Sequence, residues 1–277
     1  ENGSDPDVRL GPEAVEGLGR PFRYIDMGDD ATPSPVPAMN RGLAESRGRA
    51  VALMVDGAHV LTPGVLRHGL AGLEAYEPAI VATQAWYVGP GQQGDVMRAG
   101  YDQAVEDALF TQIGWPADGY RLFEIGHFAG DRDWFDGLWE SNCLFAPRRL
   151  LERVGGFDEA FAMAGGGYCN LHLYERLAST PGLRVVTILG EGSFHQLHGG
   201  TTTNQADPLE RRARIRSYVD HYTEVRGRPF MGPEKPIHYV GGFTTEAAKR
   251  VRARRMTAKA FEVEPGLEGA DGPEPES

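Results

Sequence analysis

The chain has 277 residues, 41% hydrophobic and 24% charged, which is material for one large domain or two small ones; no apolar run approaches the ~18 residues of a membrane-spanning helix. Its net charge of −11 is concentrated at one end: the tail Glu262 to Ser277 holds six acids and no Lys or Arg, and without it the charge is −5, so neither part presents the basic surface that nucleic acid requires. The two cysteines, Cys143 and Cys169, lack CxxC spacing; this argues against a disulfide framework and makes a reducing cytoplasm the expected compartment.

Residues 1 to 40 are loop-rich, with Pro33, Pro35 and Pro37 close together. A short helix is expected over 40–49, ended by Gly48, followed by a buried strand over 50–55 that stops at Asp56-Gly57. Thr62 suits an N-cap and Pro63 a first turn, with Val65, Leu66, Leu70 and Leu73 at helical spacing behind them. Further strands are expected over 79–83, 141–146 and 184–189, and further helices over 101–113 and 147–154, the latter closed by Gly155-Gly156. Asn170 is placed to cap a helix over 171–178. Asp207-Pro208-Leu209-Glu210 has the form of a capping box opening a helix to about Arg226. Residues 244–261 look helical and carry six Lys and Arg, reading as a solvated helix or a docking surface, with the acidic tail expected to be disordered.

Strands alternating with helices predict an α/β domain with a largely parallel sheet, and such sheets bind ligands beyond the carboxyl ends of their strands. That rule selects Asp56 and Gly57 after one strand, and His195 and His198 after another. A carboxylate there suits a hard divalent cation such as Mg or Mn, and Mn also accepts imidazole. Gly199-Gly200-Thr201-Thr202-Thr203-Asn204 offers backbone N–H groups and hydroxyls for phosphate, Thr201 and Thr202 foremost. Trp86-Tyr87 reads either as a sugar-stacking platform or as core.

The run Asn40-x-Gly42, the strand ending in Asp56, Gly155-Gly156-Phe157-Asp158-Glu159, the glycine-rich turn at Gly165-Gly166-Gly167 before a helix ending Arg176-Leu177, and the strand leading to His195 occur in one order. Together they resemble a family 2 glycosyltransferase of the GT-A fold, over Asn40 to Pro63, Glu140 to Leu177 and Val185 to Asn204. The opening Glu1-Asn2-Gly3-Ser4 is similar to the Asp-Asn-Gly-Ser turn of that family, which implies that an N-terminal segment precedes it. The resemblance implies a mixed, mostly parallel Rossmann-like sheet flanked by helices, with a catalytic domain over 1–205, a helical extension over 206–261 and the tail over 262–277.

It further implies inverting transfer of a sugar from a nucleotide-sugar donor to the hydroxyl of a glycan or other acceptor, assisted by Mn or Mg and serving polysaccharide or glycoconjugate synthesis. Glu1, Asn40, Asp56, Gly57, Thr201 and Thr202 would meet the donor; Asp56, His195 and His198 the metal; and Glu140 or Asp158 would be the base. Two departures stand out. Asp56-Gly57-Ala58 lacks the second Asp of the family's Asp-x-Asp, with His59 adjacent, and Gly167-Tyr168 lacks the family's Glu-Asp. A binding module of the same fold without turnover is the alternative, and a metal-dependent hydrolase using Asp56, His59, His195 and His198 is a third reading.

Overall fold

The apolar run after Gly48 forms the edge of a five-stranded sheet. The computed structural model describes residues 1–7, 9–18, 22–54, 58–129, 134–135, 137–200, 204–243, 246 and 249. Its elements run α1 (Pro12–Glu16), α2 (Val36–Glu45), β1 (Ala50–Met54), β2 (His59–Leu61), α3 (Val65–Ala75), β3 (Ala79–Ala82), β4 (Ala85–Val88), α4 (Gln93–Arg98) and α5 (Gln103–Gln112). Then follow α6 (Leu122–Ile125), β5 (Gly126–Phe128), β6 (Cys143–Pro147), α7 (Arg148–Val154), α8 (Cys169–Ala178), β7 (Arg184–Leu189), β8 (Ser193–His195), α9 (Pro208–Arg226) and β9 (Ile237–Gly241). Asp56, Gly57, Thr201, Thr202, the acidic tail and nearly all of the segment 244–261 lie outside the described residues.

The main sheet has the order β1-β6-β3-β7-β9. β6 is antiparallel to both neighbours, and β3, β7 and β9 pair in parallel, so four strands share one direction and β6 opposes them. This is the expected mixed α/β sheet flanked by helices. Alternation along each strand divides the core in two. Val51, Leu53, Ile80, Ala82, Leu144, Ala146 and Val185 pack with Leu150, Leu173, Leu177 and Tyr222 of α7, α8 and α9. Val81, Cys143, Phe145, Val186 and Ile188 face Val65 and Leu73 of α3. The span beyond 206 is joined to this body by β9, which extends the sheet along β7, and by Tyr222, which is wholly buried in the larger core.

A second sheet, β2-β8-β4-β5, was not foreseen. Its strands are three or four residues long, too short for a periodic signal. Behind it, Trp86 stacks on Phe194 and meets Phe123 and Phe128 edge-on, so Trp86 is core and not a sugar platform.

Local chemistry explains some of the helix ends. Asp207 accepts hydrogen bonds from the N–H groups of Leu209 and Glu210 at 2.7 and 3.3 Å, the expected cap of α9. The box is not closed by Glu210, because Gln205 intervenes: its oxygen takes the Asp207 N–H and its amide donates to Glu210. Gly155 ends α7 at φ +79°, a left-handed conformation that a side chain disfavours. Two expected caps fail. α3 begins after Gly64, and Thr62 donates instead to the buried carboxylate of Glu191, which also receives the Gly64 N–H. α8 begins after Tyr168, and the Asn170 side chain turns away from the helix toward Glu140.

Candidate functional site

His195 ends β8 and is 5% exposed. The expectation that it directly follows the strand 184–189 is corrected: Gly190-Glu191-Gly192 carries the chain from β7 into the second sheet, where β8 runs parallel to β4 and antiparallel to β2. That pairing sets His59 opposite His195, with ring centroids 4.9 Å apart and edge-to-face. His59 Nδ1 lies 2.8 Å from Ser193 Oγ.

Three residues later the chain brings His198 back, so that His195 Nε2 and His198 Nε2 stand 3.0 Å apart. The His195 tautomer follows from its other partner. Gln93 opens α4, and its amide nitrogen donates to the His195 carbonyl at 3.0 Å. The amide oxygen therefore faces His195 Nδ1 at 2.7 Å and accepts its proton. This leaves the lone pair on Nε2, turned toward His198. Asn204 ties the segment down: its amide donates to Gln93 Oε1 at 2.9 Å, and its oxygen accepts the N–H groups of His198 and Gly200 at 3.1 and 2.8 Å.

The 3.0 Å contact is that of a ring-to-ring hydrogen bond, and it is also the spacing of two ligands at right angles on one ion with bonds of about 2.1 Å, the octahedral geometry of Mn or Mg, so His195 and His198 could hold such an ion. Among the described residues, no group of three His, Cys, Asp or Glu side chains is arranged to hold one.

These histidines line a cleft of about 770 Å³. Glu140, Asn142 and Asn170 line it too, with Asn2, Tyr87, Tyr168 and the glycine turn at Gly165 and Gly167. Glu140 Oε2 accepts the Asn170 amide at 3.1 Å, and that amide also reaches the Ser141 carbonyl at 3.4 Å. Glycines 165, 166 and 167 all have positive φ, between +55° and +75°, and a Cβ at Gly166 would lie 2.6 Å from Cys169 Sγ. The turn thus favours glycine at Gly167, where the resemblance anticipated the first of two acids, while Tyr168 stands at the second. Cys169 lines the cleft, but burial pushes its thiol up to about 12, which disfavours the thiolate.

Other predicted residues stand elsewhere. Asn40 is not in the cleft; its amide donates to the Phe157 carbonyl at 3.0 Å and accepts the Phe157 N–H at 2.9 Å, so it clamps the turn after α7. Asp158 is also outside the cleft, with Oδ2 3.5 Å from both His172 Nε2 and Arg226. Glu1 spends its carboxylate on the Ser4 N–H at 2.6 Å, which lowers its pKa, and its neighbour Asn2 reaches the cleft instead. Asn2 holds the loop 32–34 by donating to the carbonyls of Thr32 and Ser34.

Gln93, which orients His195, carries no chemistry legible in sequence, because its contacts with His195 and Asn204 span about a hundred residues. Arg211 of α9 is a further addition, the one Lys or Arg among the described residues lining the cleft, and it stands 3.6 Å from Asp95. No helix among the described residues is long and apolar enough to cross a membrane. No model of a known protein family matches the chain, and no curated protein matches it.

Proposed function

We propose that this chain is a glycosyltransferase that moves a sugar from a nucleotide-sugar donor to an acceptor hydroxyl with inversion, on a GT-A-like fold. The observation that carries this reading is the single cleft in which Glu140, Asn2, Tyr168, His195 and His198, drawn from four separate stretches of sequence, meet. Glu140 is the base in this reading and Asp158 is not, since only Glu140 lines the cleft. Its carboxylate, anchored on one oxygen by Asn170, takes the acceptor proton as the acceptor oxygen bonds to the anomeric carbon and the bond to the diphosphate breaks. His195 and His198, with Asp56, would hold a divalent ion, which would offset the charge of the departing nucleoside diphosphate. Arg211 adds a fixed positive charge toward the same group.

The test is a panel of nucleotide-sugars with Mn2+, followed by direct detection of released nucleoside diphosphate. Turnover of one donor that Glu140→Gln abolishes without weakening donor binding is expected. Donor binding without release, with or without acceptors, would instead establish a binding module, which the absence of a second Asp at Ala58 favours. No binding of any donor sinks both readings.

A further inference from the structure

The segment that carries the two histidines is gripped by a side chain from another helix. Glu106 of α5 is 3% exposed, and both its carboxyl oxygens accept the N–H of Leu197, at 3.2 and 3.0 Å. Leu197 stands between His195 and His198, one residue before His198. The Gln196 side chain also hydrogen-bonds to Glu106. On its far side Glu106 Oε2 meets the Tyr101 hydroxyl at 3.1 Å, while that hydroxyl lies 3.0 Å from the Val88 carbonyl. A phenol has one proton to give. That proton is within reach of either acceptor, so Tyr101 ties Glu106 to the end of β4. Burial raises the Glu106 pKa above the ordinary carboxylate value.

We infer that Glu106 is a positioning residue for the His195–His198 pair: by seating the Leu197 N–H in its carboxyl, and being held in turn by Tyr101, it fixes where His198 stands relative to His195. The backbone alone does not determine that spacing. His198 is followed by Gly199 at φ +83° and by Gly200, a sequence with little stiffness of its own. The segment is pinned at successive residues instead: Gln196 N–H to the Ala58 carbonyl at 2.7 Å, Leu197 N–H to Glu106, and His198 N–H to Asn204. Of the two pins set between the imidazoles, the Glu106 contact is the one made by a side chain. The inference concerns the same site as the proposed transferase and rests on that reading for its consequence, but its geometry can be measured without any sugar substrate.

The experiment compares the wild-type chain with Glu106→Gln, Glu106→Asp and Glu106→Leu by long-range 1H–15N correlation of the histidine ring nitrogens, alone and with Mn2+ as the probe. Gln keeps the side-chain length and an oxygen that accepts the Leu197 N–H, so it should reproduce the wild-type ring signals and the Mn2+ broadening of His195 and His198. Asp is one methylene too short and Leu cannot accept a hydrogen bond. In both, the Leu197 amide should exchange faster, His198 should lose its distinct signals, and Mn2+ affinity should fall about tenfold or more, in the range typical for loss of a group that orients a ligand. Retention of wild-type ring signals in folded Asp or Leu variants overturns the inference. So does their loss in the Gln variant, which would show that charge and not seating matters. Should Leu not fold, the Gln and Asp pair decides. A wild-type chain indifferent to Mn2+ would sink the metal assignment alone, leaving the ring signals to judge the positioning.

Discussion

Gln93 grips His195 at two points: its amide nitrogen donates to the His195 carbonyl at 3.0 Å, and its oxygen takes the Nδ1 proton at 2.7 Å. The first bond fixes which way the amide faces, and the second then fixes the tautomer. Gln93→Leu removes both. The expected result is a mixture of His195 tautomers in ring-nitrogen NMR and Mn2+ affinity reduced roughly 10- to 100-fold, with the fold retained. A single unchanged Nδ1–H tautomer in the variant would show that something else orients the ring.

Asn40 makes the opposite prediction. Its side chain exchanges two hydrogen bonds with the backbone of Phe157, and Gly156 packs so closely that a Cβ there would lie 2.7 Å from Asn40 Oδ1. Asn40→Ala should cost about 2–3 kcal/mol in urea unfolding, the sum of two partly buried bonds and the groups they leave unpaired. It should not change the affinity of any ligand of the cleft by more than about twofold. A selective loss of ligand affinity at unchanged stability would return Asn40 to the donor site.

The contrast between these two residues shows what the sequence could convey. The strand 184–189, the helix 148–154 and its terminating glycine, and the Asp207 cap are local matters of periodicity and hydrogen bonding to near neighbours, and they stand where expected. The second sheet was illegible because its strands are too short to repeat a pattern. His195 and His198 stand out by residue type and by their place after a strand, whereas Glu140 is reached, beside Asp158, only through the family resemblance. Asn170 and Thr62 do not cap their helices because each meets a carboxylate far away in sequence, the exposed Glu140 for one and the buried Glu191 for the other. Long-range competition of this kind leaves no trace in spacing.

His172 carries a pH prediction. It is buried between Asp158 and Glu175, with Arg226 and Arg176 nearby, and burial, aided by those cations, depresses its pKa to about 4. The native ring is therefore neutral where the unfolded ring would be charged. Stability from this residue is intact above its unfolded pKa near 6.5 and is lost as pH falls toward 4. Glu175 has a lowered pKa, set by Arg228 and Tyr222 against burial, so its contribution is lost only below about 4.5. Between pH 6.5 and 4.5 the loss from His172 should be roughly 2–3 kcal/mol, read from urea midpoints. His172→Gln should flatten the profile across that window; an unaltered slope would assign the dependence to other groups.

The two thiols bear on mechanism. Cys143 lies in the sheet and its pKa is raised by burial to about 11, and Cys169 is raised further, to about 12, although it borders the cleft. At pH 8 each is a thiol and shielded, since the thiolate is the reactive form. Native protein treated with iodoacetamide at that pH should stay unmodified by mass spectrometry for hours, while urea-unfolded protein takes up two adducts, one per cysteine. Rapid labelling of Cys169 in the folded chain would instead mean that the turn at Gly165–Gly167 opens and exposes the floor of the cleft. Protection of Cys169 by a bound nucleotide-sugar would then mark that opening as part of ligand entry, whereas equal labelling with and without ligand would confine it to local unfolding.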